Sequence, residues 1–401
     1  MTAYSPVLLK NSFIVKKSKQ WYSRQLISLE QLNTIFKNYD PGFYSPGLFI
    51  KIGLFIFTAI AIAAAAGFYT LFFALINMHS GTGIFVFSCV LFSVLCVIAL
   101  EYFIRSKKVY RAGVDECLLY AALLFVFFAI GIMINELFEN SDNTLLNCIL
   151  ALPFLLAAIV RYTDQFVALA AAACLYSIFF LSLLKLGDIA KLIMPFALMA
   201  VSVPVYFAAR KQKERDDLFY WKNCFIVFEY AALIVFYAAG NYFVIREASA
   251  AFFNLQLKEG ENIPLAFLFY FLTAAIPLLY VYYGLKRKDK VLLWCGLLFI
   301  AAAVLTFKYY FSLGHPEITM TIAGLIMIAI AYTYIRILKT PKHGITFAEE
   351  PDEDNFLKSN AEALVISQNF GQHAQTPSDT ASGGPDFGGG SFGGAGSGGN
   401  Y

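Results

Sequence analysis

The chain contains 401 residues, of which 59% are hydrophobic and 14% are charged, and its formal net charge is +3 at pH 7. A mean hydropathy of +0.65 together with 41 phenylalanines excludes an ordinary soluble domain. The apolar runs are continuous rather than alternating. We therefore expect the backbone N–H and C=O groups to be hydrogen-bonded within helices in the bilayer, and not between the strands of a barrel. We therefore predict an all-α fold, a polytopic transmembrane helical bundle of about ten spans.

Residues 1–46 form the first predicted unit, a cytoplasmic segment with short amphipathic helices. This segment lacks the apolar core and cleavage site of a secretory signal, so we expect it to remain part of the protein. A helical pattern begins at Lys19, and Ser28 with Gln31 has the signature of a capping box. Apolar residues at spacings of three and four predict a helix before Pro41: Leu29, Leu32, Ile35 and Phe36. The unit fits an anchor lying on the lipid headgroups, and a binding site for a protein partner is the alternative.

The first predicted span covers residues 47–76, in which Lys51 is the only charged residue. About 20 apolar residues are enough to cross a hydrocarbon core of ~30 Å, and this run exceeds that length. It opens the second predicted unit, a transmembrane bundle over residues 47–338.

The start of the chain contains Trp21, the run Leu-Ile-Ser-Leu-Glu-Gln at 26–31, Ile35, and Leu-Phe-Ile-Lys-Ile-Gly at 48–53. These residues give the chain a resemblance to a family of predicted bacterial membrane proteins described as "domain of unknown function 2157". The resemblance covers residues 1–75. It implies a membrane architecture and no catalytic residues, because the family has no established activity.

The remaining apolar runs predict the other spans in chain order. These runs are residues 83–104, 114–134, 144–160, 165–184, 189–209, 220–245, 263–285, 291–308 and 318–338. The two connections on which the count depends most are the tight turn at 161–164 and the separation at 185–191.

The distribution of the 30 lysines and arginines predicts the orientation. With the N-terminus inside, nearly all of them lie in segments on the inner side, as the positive-inside rule requires. The outer side holds Lys185, Lys191, Arg246, Lys258 and Lys308. We therefore predict a multi-pass protein of the bacterial cytoplasmic (inner) membrane with both termini cytoplasmic.

Residues 339–401 form the third predicted unit, a cytoplasmic tail that is acidic at first and then rich in glycine and serine. Glycine at this density cannot bury a core, so we expect the tail to be disordered. A protein partner is expected, if at all, at the N-terminal module or at this tail.

The sequence carries no catalytic, cofactor or metal constellation. All seven cysteines lie in or next to apolar runs without a Cys-x-x-Cys pair, and the four histidines are scattered outside the spans. Phosphate-binding loops and nucleic-acid motifs are absent as well. We therefore expect a protein that is not an enzyme, uses no cofactor and binds no nucleic acid.

Glu229 is the best candidate for a functional side chain, since it is the one carboxylate placed well inside a predicted span. A charge at that depth costs ~3 kcal/mol or more, so Glu229 should face the bundle interior and be protonated or paired. Lys222, seven residues earlier, is the expected helper at a distance, with Asn241 or Asn147 as polar groups between them. The plainer alternative is a protonated glutamate that bonds to a neighbouring helix.

Two functions remain open at this stage. The first is transport or permeation of a small solute, which the span count and a possible inverted arrangement of five plus five spans favour. The second is a non-catalytic membrane scaffold or envelope-associated partner that acts through its cytoplasmic ends. A transporter should hold a polar cavity near the midplane between its halves, whereas a scaffold should be an apolar bundle throughout.

Overall fold

A computed structural model describes residues 2–40, 42–76, 82–138, 143–253 and 263–310, together with positions 324, 325, 328, 332 and 336. The described ranges contain twelve α-helices and no β-strand. The predicted tenth span at 318–338, except for those single positions, and the predicted tail at 339–401 lie outside the described residues.

Two helices precede the bundle: α1 at Pro6–Ser23 and α2 at Leu29–Asn38. The predicted capping box is confirmed, because the Ser28 hydroxyl accepts from the Gln31 backbone and the Gln31 side chain accepts from the Ser28 backbone. The first helix begins at Pro6 and not near Lys19 as predicted. Proline suits the first turn of a helix because its missing N–H would have no partner there.

Ten helices follow along the chain. They are α3 at Leu48–Ile76, α4 at Thr82–Lys107, α5 at Val114–Leu137, α6 at Thr144–Tyr162, α7 at Gln165–Leu184, α8 at Asp188–Lys213, α9 at Lys222–Gly240, α10 at Tyr242–Phe253, α11 at Ala266–Arg287 and α12 at Lys290–Tyr310. A short 3₁₀ segment, Asp216–Trp221, joins α8 to α9.

Within the described ranges, nine helices are long and apolar enough to cross a membrane. The first nine predicted spans are thereby confirmed, including the two short connections on which the count depends. The protein is a multi-pass integral membrane protein.

Two helices organise the packing. Helix α5 contacts α3, α4 and α6, and we call α3–α6 the first sub-bundle. Helix α9 contacts α8, α10, α11 and α12, and we call α8–α12 the second sub-bundle. Helix α7 packs against α6, α8 and α9 and so joins the two. On α7, Ala168, Ala171 and Ala172 are fully buried, and such small side chains allow neighbouring helices to approach closely.

Most of the basic connections meet at one end of the bundle, which we call the basic end. It contains the connections α4–α5 at 108–113, α6–α7 at 163–164, α8–α9 at 214–221 and α11–α12 at 288–289. Contacts hold these connections together: Trp221 Nε1 donates to the carbonyl oxygen of Ile159 at 3.2 Å, and Arg210 bonds to Asp289.

The first residues of the chain are built into the basic end. The Ala3 backbone N–H donates to the carbonyl oxygen of Arg161 at 2.8 Å, and the buried Tyr4 hydroxyl donates to Asp115 at 3.2 Å. Burial and the nearby Asp115 carboxylate raise the pKa of Tyr4, so its hydroxyl stays protonated and keeps its donor role. The N-terminal segment is therefore docked on the bundle at its start.

Candidate functional site

Glu229 is fully buried on α9 and is paired with a lysine. Lys213 Nζ lies 2.5 Å from Glu229 Oε2, and the lysine side chain is 17% exposed. The other carboxylate oxygen, Oε1, is buried and has no hydrogen-bond partner among the described residues. An unpartnered carboxylate oxygen in an apolar bundle is costly, so it marks this position as the first place to look for chemistry.

A second ion pair lies beside the first. Arg210 Nη1 donates to Asp289 Oδ2 at 2.5 Å and to the Tyr206 hydroxyl at 2.7 Å. Asp289, only 6% exposed in its side chain, also accepts from the Val291 backbone N–H at 3.0 Å. Asp289 is thus held both by α8 and by the first turn of α12. We call Tyr206, Arg210, Lys213, Glu229 and Asp289 the ion-pair cluster.

The sequence places these groups together through helix periodicity and one turn. Tyr206, Arg210 and Lys213 follow one another at spacings of four and three on α8, so they share a face of that helix. Lys288 adopts a left-handed conformation with φ of +53° and ends α11, and Asp289 follows it in the turn to α12. The same turn brings Asp289 to the face of α8 that carries the two cations.

The ion-pair cluster lies near the basic end of the bundle. Lys213 is the last residue of α8, and Asp289 stands in the turn between α11 and α12. Glu229 lies seven residues into α9, a rise of ~10 Å from Lys222. A charge near helix ends costs less than a charge at the midplane, since cationic stems reach the interface from there.

Lys222 does not pair with Glu229. It is the exposed first residue of α9, and Lys213 makes the contact instead, sixteen residues before the glutamate. The sequence signal for this pair is the basic stretch 210–215, which also indicates the topology. Lys213 stands at the end of α8, and Glu229 lies two turns into α9, the next and antiparallel span. The lysine is therefore the cation nearest to the carboxylate.

Asn241 belongs to a different constellation at the other end of α9. Its amide Nδ2 donates to the Tyr237 hydroxyl at 2.9 Å and to Thr306 Oγ1 at 3.1 Å. Its Oδ1 accepts from the Val244 backbone N–H at 3.2 Å and so caps α10. Twelve residues separate it from Glu229, a rise of ~18 Å along a helix, so the two side chains are not brought together.

Asn147 is also apart from Glu229. It lies in the first turn of α6, at the end of that helix opposite to Arg161 and the basic end. Its Oδ1 is buried and accepts no hydrogen bond from the described part of the chain. The structure therefore brings none of Lys222, Asn241 and Asn147 into contact with Glu229.

Two cavities lie beside these elements, one in each sub-bundle. A cavity of about 340 Å³ lies between α8, α9, α11 and α12, and Ser202, Tyr206, Tyr280 and Arg287 contribute its polar groups. Through Tyr206 it adjoins the ion-pair cluster. A larger cavity of about 830 Å³ lies between α4, α5 and α6. Neither of these two cavities lies between the halves, where the transport hypothesis predicted one.

Metal ligands do not cluster in the part of the chain that the structure describes. There, no group of three or more histidine, cysteine, aspartate or glutamate side chains is arranged to hold a metal ion. The seven cysteines are free, and those at 96, 117, 224 and 295 are buried. The carboxylates of Glu229 and Asp289 and the hydroxyl of Tyr206 are groups that can accept or donate a proton.

Comparison of the chain with protein-family models, with curated proteins and with solved structures finds no match.

Proposed function

We propose that this protein is a non-enzymatic transport protein that carries protons across the bilayer, with Glu229 as the exchanging group. One observation carries the proposal: Glu229 is fully buried, with one oxygen on Lys213 and the other without a partner. A buried carboxylate in a membrane bundle is expensive, and proton relays are a main reason for such residues in transport proteins.

The charge balance of the ion-pair cluster favours a proton over other ions. Among the buried groups Arg210 is matched by Asp289 and Lys213 by Glu229, and the additional carboxylate near Arg210, Glu214 at 3.6 Å, is 67% exposed; a bulk cation or anion therefore meets no excess of opposite buried charge there. A proton can still bind to Glu229. The neutral carboxyl group then no longer attracts Lys213, whose side chain can turn towards the interface. The free Oε1 is the atom at which that proton would arrive.

The neighbouring cavity supplies a route towards the opposite side. The hydroxyls of Ser202, Tyr206 and Tyr280 line a space of about 340 Å³, and water needs two or more such polar partners to occupy a cavity. Tyr206 accepts from Arg210, which joins the cavity to the cluster. A chain of water and hydroxyl groups is therefore the proposed path.

Proton flux into liposomes tests this proposal. The full-length protein is reconstituted with a pH-sensitive dye inside, and a potassium gradient with valinomycin sets the membrane potential. We expect wild-type vesicles to acidify faster than protein-free vesicles and Glu229→Gln vesicles to match the protein-free rate. Gln keeps the shape and hydrogen bonds of Glu but cannot exchange a proton.

Asp217→Asn is the matched control, since Asp217 is an exposed carboxylate at the same end that pairs with Arg215. It should acidify at the wild-type rate, and gel filtration should show that both variants assemble. A wild-type rate equal to that of protein-free vesicles would exclude proton transport. Equal rates for wild type and Glu229→Gln across roughly pH 5 to 9 would make Glu229 a structural residue.

We further infer that the protein lies in a bacterial cytoplasmic membrane with both termini inside, because the basic residues gather at the basic end.

A scaffold is the second candidate function, and one observation favours it. Trp21, Leu26 and Leu29 expose apolar surface on and between α1 and α2, outside the spans. Such a surface suits lipid headgroups or a protein partner.

A further inference from the structure

The first sub-bundle contains a groove that is apolar along its length and charged at the basic end. Its volume is about 830 Å³, within the range of ~300–1,000 Å³ that is usual for small-ligand sites. On α4 its wall extends from Val86 to Arg105, a rise of ~28 Å at ~1.5 Å per residue. The groove is therefore about as long as the hydrocarbon core is thick.

The groove opens towards the bilayer. Val94, Ile98 and Phe154 line it and remain 49%, 60% and 48% exposed. All three lie within helices that cross the membrane, so the medium at the opening is hydrocarbon. An acyl chain of a membrane lipid is the occupant that this wall chemistry accepts.

Two guanidinium groups share one carboxylate at the charged end. Glu101 Oε1 accepts from Arg161 Nε at 2.8 Å and from the Tyr162 hydroxyl at 3.1 Å. Arg105 Nη2 approaches Glu101 Oε2 at 3.4 Å, beyond the length of a strong charge-assisted hydrogen bond. The end of the groove thus carries one excess positive charge.

Arg105 is the group that is free to meet an anion. Its side chain is 73% exposed, whereas Arg161 is held by Glu101 and by the Ala3 contact to its carbonyl oxygen. Arginine binds phosphate with two parallel N–H donors, and anionic lipids concentrate in the leaflet that faces basic loops. The headgroup expected here is therefore an anionic phosphate diester.

We propose that the groove between α4, α5 and α6 is a binding site for one anionic phospholipid. Its acyl chain lies along the apolar walls, and its phosphate lies on Arg105 at the basic end. The site is independent of the ion-pair cluster, which lies in the other sub-bundle.

Native mass spectrometry of the full-length protein tests the site. The protein in a mild detergent is titrated with phosphatidylglycerol and, separately, with phosphatidylcholine of the same acyl chains. We expect phosphatidylglycerol to bind about tenfold more tightly, the difference that a charge-assisted contact supplies. Arg105→Gln should remove about that tenfold advantage, because it removes the positive charge that favours the lipid without a compensating choline cation. Phosphatidylcholine, whose phosphate also meets Arg105, should weaken by a smaller factor.

Two further variants separate the site from general attraction to the membrane. Lys107→Gln makes the same change of charge at the exposed end of α4, outside the groove, and should alter phosphatidylglycerol binding by no more than about twofold. Ala157→Trp fills the groove from α6 and should weaken both lipids, because the acyl chain loses its space. Thermal unfolding checks that Ala157→Trp remains folded.

If the wild type bound the two lipids with equal affinity, the lipid would be held only by general contact with the bundle. That result would overturn the proposal. The proposal would also fail if Arg105→Gln behaved like Lys107→Gln. Unchanged binding of both lipids to a folded Ala157→Trp variant would show that no acyl chain enters the groove.

Discussion

Lys213 and Glu229 illustrate how single charged residues are retained inside an apolar bundle. The glutamate is out of contact with solvent, and its attraction to the lysine at 2.5 Å offsets part of the lost hydration. The lysine reaches inwards from the end of α8 through its apolar stem. Removing either partner alone should therefore cost more than removing both.

Lys213→Met tests this pairing. It leaves the Glu229 carboxylate buried and unpaired, so we expect the free energy of unfolding to fall by about 3 kcal/mol. Lys213→Met combined with Glu229→Gln should recover most of that loss, because no uncompensated charge remains. Denaturant unfolding in detergent measures both variants. A double variant as unstable as the single one would show that packing, and not charge, explains the loss.

At the scale of the helices, proline does not decide where the chain breaks. Pro153, Pro195, Pro204 and Pro277 all lie inside continuous helices. The predicted seventh span divides instead between Gly240 and Asn241, where the Asn241 side chain caps the start of α10. Here a glycine and a capping side chain interrupt the helix. Buried hydroxyl groups bond to the polar atoms that the break leaves without a partner inside the helix.

Gly113 permits the contact between α3 and α5. Its φ is +94°, and a Cβ atom built there would lie 2.2 Å from the Lys51 carbonyl oxygen. The approach also places Lys51 Nζ 2.7 Å from Glu116 Oε1. Since backbone atoms and not flexible side chains occupy the space, the two helices must separate to admit a methyl group.

We therefore expect Gly113→Ala to lower the free energy of unfolding by about 2 kcal/mol or more. Gly131→Ala, within α5, is the control, because no heavy atom lies within 4 Å of the added methyl group. It should be neutral or slightly stabilising, since alanine is the better helix former. Thermal unfolding of both variants in detergent makes the comparison, and equal melting temperatures would contradict the close approach at Gly113.

At the scale of the whole molecule, the basic end gathers the connections that the charge distribution assigns to one side of the membrane. Lys107, Gln212 and Lys288 are located at the ends of α4, α8 and α11, all at this end. Asn140 and Gln256, which the sequence assigns to the opposite side, lie outside the described residues.

Cysteine labelling of a cysteine-free variant tests this orientation. Single cysteines at 107, 212 and 288 should react with a membrane-impermeant reagent only after the cells are opened, and those at 140 and 256 should react in intact cells. The reason is that translocated loops are depleted of lysine and arginine. Reaction at position 212 in intact cells would end the ten-span topology.

The sequence by itself determined the elements that depend on local composition. Nine spans and the capping box at Ser28 follow from bilayer thickness and backbone hydrogen bonding. The resemblance of residues 1–75 to a family of membrane proteins stays a prediction.

Only the tertiary structure decided which faces meet. The partner of Glu229, the docking of Tyr4 on Asp115 and the approach of Arg161 to Glu101 each join different elements, the last two across 111 and 60 residues. Helices that are apolar on every side show no periodic pattern that tells a buried face from a lipid-facing one. Hydropathy therefore fixes where a helix lies along the chain, whereas packing fixes which of its few polar groups face each other.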